Sequence, residues 1–137
     1  MRFVDTNVLL YSVSTVGTDQ KKSAIAISLI ETQDLALSVQ VLQEFYVQAT
    51  RATRRDPLTH EQATALIEAW LRFPTQDTTP ALVQAALAAT ARHRVSYWDA
   101  AMVEAARMLG CPTVLSEDLN DGQDFDGVRV ENPFRPT

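Results

Sequence analysis

The sequence predicts an α/β fold in which a short parallel central sheet is covered by helices on both faces. Short apolar runs of strand length at residues 2–4, 35–37 and 113–115 alternate along the chain with longer segments of helical periodicity. Helices between short strands are typical of parallel sheets with covered faces. The chain has no internal repeat, low-complexity tract or linker, so residues 1–137 are expected to form a single domain.

The chain opens with a strand at residues 2–4, and a carboxylate and a helix start follow it directly. Thr6 or Asn7 is a favoured N-cap, and the apolar run 8–11 does not alternate, so a short helix is expected there. Asp5 then lies at the carboxyl end of a strand, where ligands gather in open α/β sheets. The alternative is that Asp5 is only a turn residue or a helix cap.

A loop at 17–19 and an apolar helical stripe ending near residues 31–33 lead to the second strand, at 35–37. Ser38 is the candidate N-cap of a helix expected to extend to about Ala52. Its buried face has the i, i+3, i+4, i+7 spacing, set by Leu42, Phe45, Tyr46 and Ala49. Glu44 shares a polar stripe with Gln40, Gln48 and Arg51. This stripe is either the floor of a cleft or a solvated helix face.

Two more helices follow. Thr59 caps the first, and its core stripe is Ala63, Leu66, Ile67, Trp70 and Leu71. Pro74 ends that pattern, a short extended piece comes next, and Pro80 stands at the first position of another helix. Residues 81–91 of that helix are apolar on nearly every side, which is typical of a helix buried in a core or against a partner chain. In a domain of this size we expect a subunit interface.

The last long helix opens at Ser96 and ends at Gly110. Asp99 shares the apolar stripe of this helix with Met102, Val103 and Ala106. Because burying a lone charge is costly, a carboxylate there is expected to be paired, neutralised or bound to a metal. The alternative is capping, since Ser96 and Asp99 have nearly the spacing of a capping box.

A strand at 113–115 leads into a polar loop, and an alternating pattern at 128–130 predicts a final strand. Asp118 lies just beyond the first of these strands, which is the same kind of position as that of Asp5. Glu117 and Asp121 are alternatives for the same role.

Composition limits the function classes. A net charge of −5 and a pI near 4.9 are unusual for a protein that binds nucleic acid. Ten of the 12 basic residues are arginine, however, and five of them form two clusters that are either phosphate contacts or solvated helix ends: Arg51, Arg54 and Arg55, and Arg92 and Arg94. No apolar run could span a membrane and no signal-peptide profile is present, so we expect a cytoplasmic protein. The single cysteine, Cys111, is expected in the core.

Four carboxylates, Asp5, Glu44, Asp99 and Asp118, can therefore be placed at one edge of one sheet. They would repel each other unless a divalent cation neutralised them. Oxygen ligands without nearby His or Cys indicate Mg²⁺ or Mn²⁺. Such a site suits hydrolysis of phosphodiester bonds, and it attracts phosphate even on an acidic protein.

Four short motifs resemble those of the PIN domain, and within it the VapC-type toxins of bacterial toxin–antitoxin pairs. They are Asp5-Thr6-Asn7, Gln43-Glu44-Phe45, Trp98-Asp99-Ala100 and Ser116-Glu117-Asp118. The resemblance covers essentially the whole chain in order. It implies a PIN-like three-layer fold and a metal-dependent endoribonuclease that works as a homodimer and is held inactive by an antitoxin. By position, the four carboxylates would be the metal-binding and catalytic set.

Polar neighbours of these motifs are expected to orient carboxylates or waters, namely Thr6, Asn7, Ser38, Ser96 and Ser116. Candidate contacts to the RNA backbone are Arg51, Arg54, Arg92 and Arg94. His60 and His93 are expected at the surface, and a core role is favoured over base stacking for Tyr97 and Trp98. The alternative functions are another metal-dependent phosphoryl hydrolase and a non-catalytic binding module.

Overall fold

The computed structural model describes residues 1–135, so the last two residues of the predicted domain lie outside the described residues. Six strands form the sheet: β1 (Arg2–Val4), β2 (Leu35–Ser38), β3 (Thr75–Gln76), β4 (Thr113–Leu115), β5 (Asp124–Phe125) and β6 (Val128–Glu131). The helices are α1 (Thr6–Ser12), α2 (Gln20–Glu31), α3 (Val39–Ala49), α4 (His60–Trp70), α5 (Pro80–His93) and α6 (Tyr97–Met108), and residues 17–19 form a 3-10 turn.

The sheet has the strand order β3-β2-β1-β4-β6-β5, and every pairing is parallel except that of β5 with β6. Phe3 and Val4 of β1 are completely buried, as are all four residues of β2, so the central strands are covered on both faces. Helix α6 contacts β2, β3, β4 and β6, α5 packs on α6, and α1 packs against α2 and α3. The predicted α/β class with a parallel central sheet is confirmed.

Several local predictions differ from the structure. Asp5, not Thr6 or Asn7, is the N-cap of α1, because its carboxylate accepts a hydrogen bond of 2.6 Å from the Thr6 backbone N–H. Helix α3 ends at Ala49 rather than near Ala52. Leu71, predicted in the core stripe of α4, is instead the exposed C-cap of that helix. Strand β5 was not predicted, since two residues carry no periodicity; the hairpin to β6 turns at Gly127, whose φ is 101°.

Helix α5 is not buried all round. Its alanines instead allow close packing against α6 on one side, where Ala86 and Ala89 meet Ala100 and Ala101. The opposite side leaves Leu87 58% exposed. Cys111 is buried, as predicted. Within residues 1–135, no helix has both the length and the apolar character needed to cross a membrane.

Candidate active site

A pocket of about 540 Å³ lies beyond the carboxyl ends of β1 and β4, between α3 and α6. All four predicted carboxylates line it: Asp5, Glu44, Asp99 and Asp118. Asp5 comes directly after β1 and Asp118 follows β4, and these strands are parallel neighbours. The sheet therefore brings together two acidic residues that are 113 positions apart in the sequence.

Asp5 is the most buried of the four carboxylates, with 7% of its surface exposed. One carboxylate oxygen accepts the Thr6 backbone N–H, and the other accepts the Ser116 hydroxyl at 2.7 Å. Burial, together with the negative charges of Asp118 and Glu44, raises the pKa of Asp5 to about 6, although the hydrogen bonds from Ser116 and Thr6 lower it. The site therefore opposes ionisation of the carboxylate that it buries.

Ser116 connects two of the acidic residues. Its buried hydroxyl donates to Asp5 and accepts the backbone N–H of Asp118 at 3.2 Å. Asn7 fixes the Asp118 side chain by donating its amide N–H to the carboxylate at 2.7 Å. Burial raises the pKa of Asp118, as do the nearby charges of Glu117 and Asp99. Asp5, Asp99 and Asp118 thus share one electrostatic environment.

The other two acidic residues of the loop after β4 point elsewhere. Glu117 forms an ion pair with Lys22 at 2.8 Å and accepts a short hydrogen bond from the Tyr11 hydroxyl. Asp121 pairs with Arg135 at 2.6 Å and accepts the backbone N–H of Asn132. Of the three candidates for the fourth acidic position, the structure places Asp118 in the pocket.

Glu44 lies in the pocket because α3 presents its polar side there. The Thr6 hydroxyl donates to one Glu44 carboxylate oxygen at 2.8 Å, and the Gln40 amide donates to the other at 3.1 Å. Asp99 lies in the first turn of α6, where the Ser96 hydroxyl accepts its backbone N–H at 3.1 Å. Ser96 therefore caps the helix while the Asp99 carboxylate lines the pocket, so the two roles weighed for Asp99 are compatible.

Thr6, Asn7 and Ser116 touch the acidic side chains, as the sequence predicts for polar neighbours. Ser38 and Ser96 have a different geometry, because each hydroxyl caps a helix: Ser38 accepts the backbone N–H of Val41, and Ser96 that of Asp99. They position the first turns of α3 and α6, the helices that carry Glu44 and Asp99.

The predicted arginines separate into two groups. Arg51 lines the acidic pocket. Arg54 pairs with Asp56 at 3.1 Å, and Arg92 pairs with Asp126 at 3.1 Å, both outside the pocket. Arg94 is exposed at the end of α5, with the left-handed φ of 56°. Since α3 ends before Arg51, the arginines at 51, 54 and 55 lie in a loop rather than in the last helical turn.

Four pocket residues were not identified as site residues from the sequence: Gln43, Val47, Met102 and Trp98, the last assigned to the core. Val47 and Trp98 are 59% and 63% exposed, whereas Tyr97 is only half-buried. The polar stripe of α3 could have indicated Gln43, but no local pattern distinguishes an exposed Trp98 from a buried one. His60 is exposed, as predicted, and the imidazole of His93 packs on Phe125 beside Asp126.

The pocket fits a hard divalent cation, because its four acidic side chains all offer oxygen atoms as ligands. In addition, burial destabilises the charged form of Asp5. Across residues 1–135, no three Asp, Glu, His or Cys side chains are close enough to form a ready metal centre. Three of the pocket carboxylates accept side-chain hydrogen bonds: Glu44 from Thr6, Asp118 from Asn7 and Asp5 from Ser116.

A short parallel α/β sheet with an acidic pocket beyond its carboxyl edge defines the class of protein. The chain belongs to the PIN domain family, whose sequence model matches residues 2–126. The resemblance inferred from the four short motifs is therefore confirmed, and so is the PIN-like three-layer fold.

Three solved structures share this fold. A toxin–antitoxin complex from Klebsiella pneumoniae matches with a TM-score of 0.69 at 18% identity, over 97% of this chain and 98% of that one. VapC20 from Mycobacterium tuberculosis, a toxin that cleaves the sarcin-ricin loop, matches with a TM-score of 0.66 at 21% identity, over 86% of this chain and 92% of that one. FitAcB from Neisseria gonorrhoeae matches with a TM-score of 0.61 at 18% identity, over 99% of this chain and 100% of that one. No curated protein sequence matches the chain significantly.

Proposed function

We propose that this protein is a divalent-metal-dependent endoribonuclease that hydrolyses RNA phosphodiester bonds and acts as the toxin of a toxin–antitoxin pair. The observation that carries the proposal is the convergence of Asp5, Glu44, Asp99 and Asp118 on one pocket, where burial opposes ionisation of Asp5. Membership of the PIN domain family supports a nuclease. The toxin that cleaves the sarcin-ricin loop supports RNA as the substrate class.

The four carboxylates would hold Mg²⁺ or Mn²⁺. When bound, such a cation activates water and offsets negative charge at the phosphate. Thr6, Asn7 and Ser116 orient three of the carboxylates through their hydrogen bonds. Arg51 lines the pocket from the loop after α3 and would contact a substrate phosphate, whereas Arg54, Arg92 and Arg94 would contact RNA only beyond the pocket.

The activity test incubates the purified chain with total RNA in Mg²⁺, in Mn²⁺ and in EDTA. We expect cleavage with either cation, none in EDTA, and a loss of at least about 100-fold in Asp5→Asn, because the change removes a charged ligand. Asp77→Asn, which alters an exposed carboxylate outside the pocket, is the matched control and should cleave normally.

Two results would contradict the proposal. Hydrolysis of small phosphate esters without RNA cleavage would indicate another phosphoryl hydrolase. Absence of both activities, together with no uptake of Mg²⁺ or Mn²⁺ in calorimetry, would indicate a non-catalytic binding module.

We also propose that the protein is cytoplasmic, binds an inhibitory antitoxin protein and forms a homodimer. The toxin–antitoxin complex from Klebsiella pneumoniae, which has the same fold, supports the antitoxin partner. The outer side of α5 with the exposed Leu87 supports an interface there.

Light scattering on a sizing column should give a dimer mass for the wild type and for Leu71→Glu, an exposed control, and a monomer mass for Leu87→Glu. A wild-type monomer would contradict the dimer.

A further inference from the structure

The two tryptophans of the chain lie in opposite environments. Trp70 is 4% exposed and packs edge to face against Phe45 in the core. Trp98 is 63% exposed and lines the acidic pocket immediately before Asp99. An exposed indole leaves a large apolar surface in water, and tryptophan is among the residues most buried on average. The indole of Trp98 is therefore available to contact a ligand in the pocket.

The ring and the backbone of Trp98 each contact a neighbouring side chain. The ring of Tyr97 meets it at a centroid distance of 5.1 Å and an interplanar angle of 83°, which is a T-shaped aromatic contact. The Gln40 side-chain amide donates to the Trp98 backbone carbonyl at 3.3 Å and also to the Glu44 carboxylate at 3.1 Å. Gln40 therefore ties the position of Trp98 to that of an acidic pocket residue on α3.

The surroundings of Trp98 match the chemistry of an unpaired nucleotide. Helix α3 contributes the amides of Gln43 and Gln48, which can donate to and accept from a base edge. The loop after α3 contributes Arg51, which suits a phosphate. The only other large apolar side chain exposed at the pocket within residues 1–135 is Val47. Two apolar side chains among polar groups offer an apolar helix little area to bury, whereas one aromatic ring is enough for a base to stack on.

We propose that Trp98 is a stacking platform for an unpaired RNA base next to the bond that is cleaved. The inference rests on the proposed ribonuclease function and adds the residue that would bind the base. A base inside a duplex is already stacked on its neighbours, so its face is not available to the indole.

The first test uses the intrinsic fluorescence of the Mg²⁺-bound protein, mixed in a stopped-flow instrument with a 12-nucleotide single-stranded oligo(A) and observed before cleavage. Trp70 is buried and provides a constant background, so stacking should quench the emission of Trp98. An RNA duplex of the same length should leave the emission unchanged. Binding seen by anisotropy of labelled oligo(A) without quenching would overturn the proposal.

The second test compares variants by that anisotropy and by steady-state cleavage. Trp98→Ala should weaken oligo(A) binding roughly 5- to 150-fold, the range for alanine substitution at base-stacking sites. Trp98→Phe should keep binding within about threefold, because a phenyl ring still stacks, yet it should lose the quenching. Leu71→Ala, an exposed apolar residue outside the pocket, is the control and should behave as wild type.

Failure of the proposal can be told apart from failure of the ribonuclease function. If the wild type cleaves RNA and Trp98→Ala binds and cleaves with unchanged KM, Trp98 is not a stacking platform and the nuclease stands. If Trp98→Ala weakens only the binding of a protein partner, the exposed indole is a protein contact and the proposal is wrong. If the wild type neither binds nor cleaves oligo(A) with Mg²⁺ or Mn²⁺, both proposals fail.

Discussion

At the scale of single residues, burial and hydrogen bonding have opposite effects on the charge of Asp5. Asp5 caps α1, accepts the Ser116 hydroxyl and faces the charges of Asp118 and Glu44, all from a position that is 7% exposed. The hydrogen bonds favour its charged form, but burial opposes that form more strongly. The result is a carboxylate that destabilises the cation-free protein once it ionises.

Replacing Asp5 with asparagine should change how stability depends on pH. Since the folded-state pKa is raised from 3.8 to about 6, the folded protein binds the proton more tightly, and wild-type stability falls as pH rises from about 4 to 6. The full penalty above that window is roughly 3 kcal/mol, and it is an upper value. Urea unfolding in EDTA between pH 4.5 and 7.5 should show a shallower decline for Asp5→Asn. Parallel curves for the two proteins would contradict this account.

Ser116→Ala tests the hydroxyl that joins Asp5 to the Asp118 loop. The variant loses a donor to Asp5 and an acceptor for the Asp118 N–H, so we expect about 1–3 kcal/mol lower stability. Cleavage should fall about 10- to 100-fold, as is usual when a residue that orients metal ligands is removed. Ser12→Ala, which loses only a bond to the Leu9 carbonyl, is the matched control for activity. Equal activity of the two variants would refute a positioning role for Ser116.

At the scale of secondary structure, helix starts place two of the four acidic side chains, Asp5 and Asp99. Helices α1, α3 and α6 begin close to the pocket, and their caps are Asp5, Ser38 and Ser96. The N-terminal end of a helix carries a partial positive charge, which favours anionic groups nearby. Capping and pocket formation therefore use the same short stretches of chain.

Two matched cap substitutions separate stability from function. Ser96→Ala and Thr79→Ala each remove a side-chain acceptor from a first-turn N–H, at α6 and α5 respectively, so each should cost about 1 kcal/mol. Only Ser96→Ala loosens the turn that carries Trp98 and Asp99, so only this variant should lose cleavage activity at a temperature where both are folded. Equal activity losses would show that the effect is general destabilisation.

At the scale of the whole molecule, the sheet order decides which segments meet. β1 lies between β2 and β4 in the sheet. The segments that follow β1 and β4 are therefore adjacent, although helices α1 to α6 lie between these two strands in the sequence. Lys22 on α2 and Tyr11 on α1 both contact Glu117, which anchors the loop that carries Asp118. The pocket thus depends on the pairing of β1 with β4 and on the contacts of α1 and α2 with the loop after β4.

A cation that binds only the folded chain should stabilise the whole molecule. At 100 times its Kd, such a ligand adds about 2.7 kcal/mol to the free energy of unfolding. The melting temperature of the wild type should therefore rise with Mg²⁺ or Mn²⁺ concentration, whereas Asp5→Asn should respond weakly. Glu68→Gln, which changes an exposed carboxylate on α4, should respond as the wild type. A wild-type melting temperature that is independent of both cations would contradict metal binding.

The sequence by itself determined the order of the main strands and helices, and it identified Asp5, Glu44, Asp99 and Asp118 as candidates. Hydrophobic periodicity, caps and strand-end positions are local properties, so they can be recognised without coordinates. Strand β5 and the end of α3 were missed, and Thr6 or Asn7 was favoured as the cap of α1, because two-residue strands and helix termini carry weak local signals.

Only the tertiary structure decided which acidic residue of the β4 loop enters the pocket, since Glu117 and Asp121 find cationic partners at Lys22 and Arg135. It also decided that Trp98 is exposed beside that pocket and that α5 buries only one side. Side-chain partners and exposure depend on contacts between segments far apart in the chain, and those contacts exist only after the sheet has assembled.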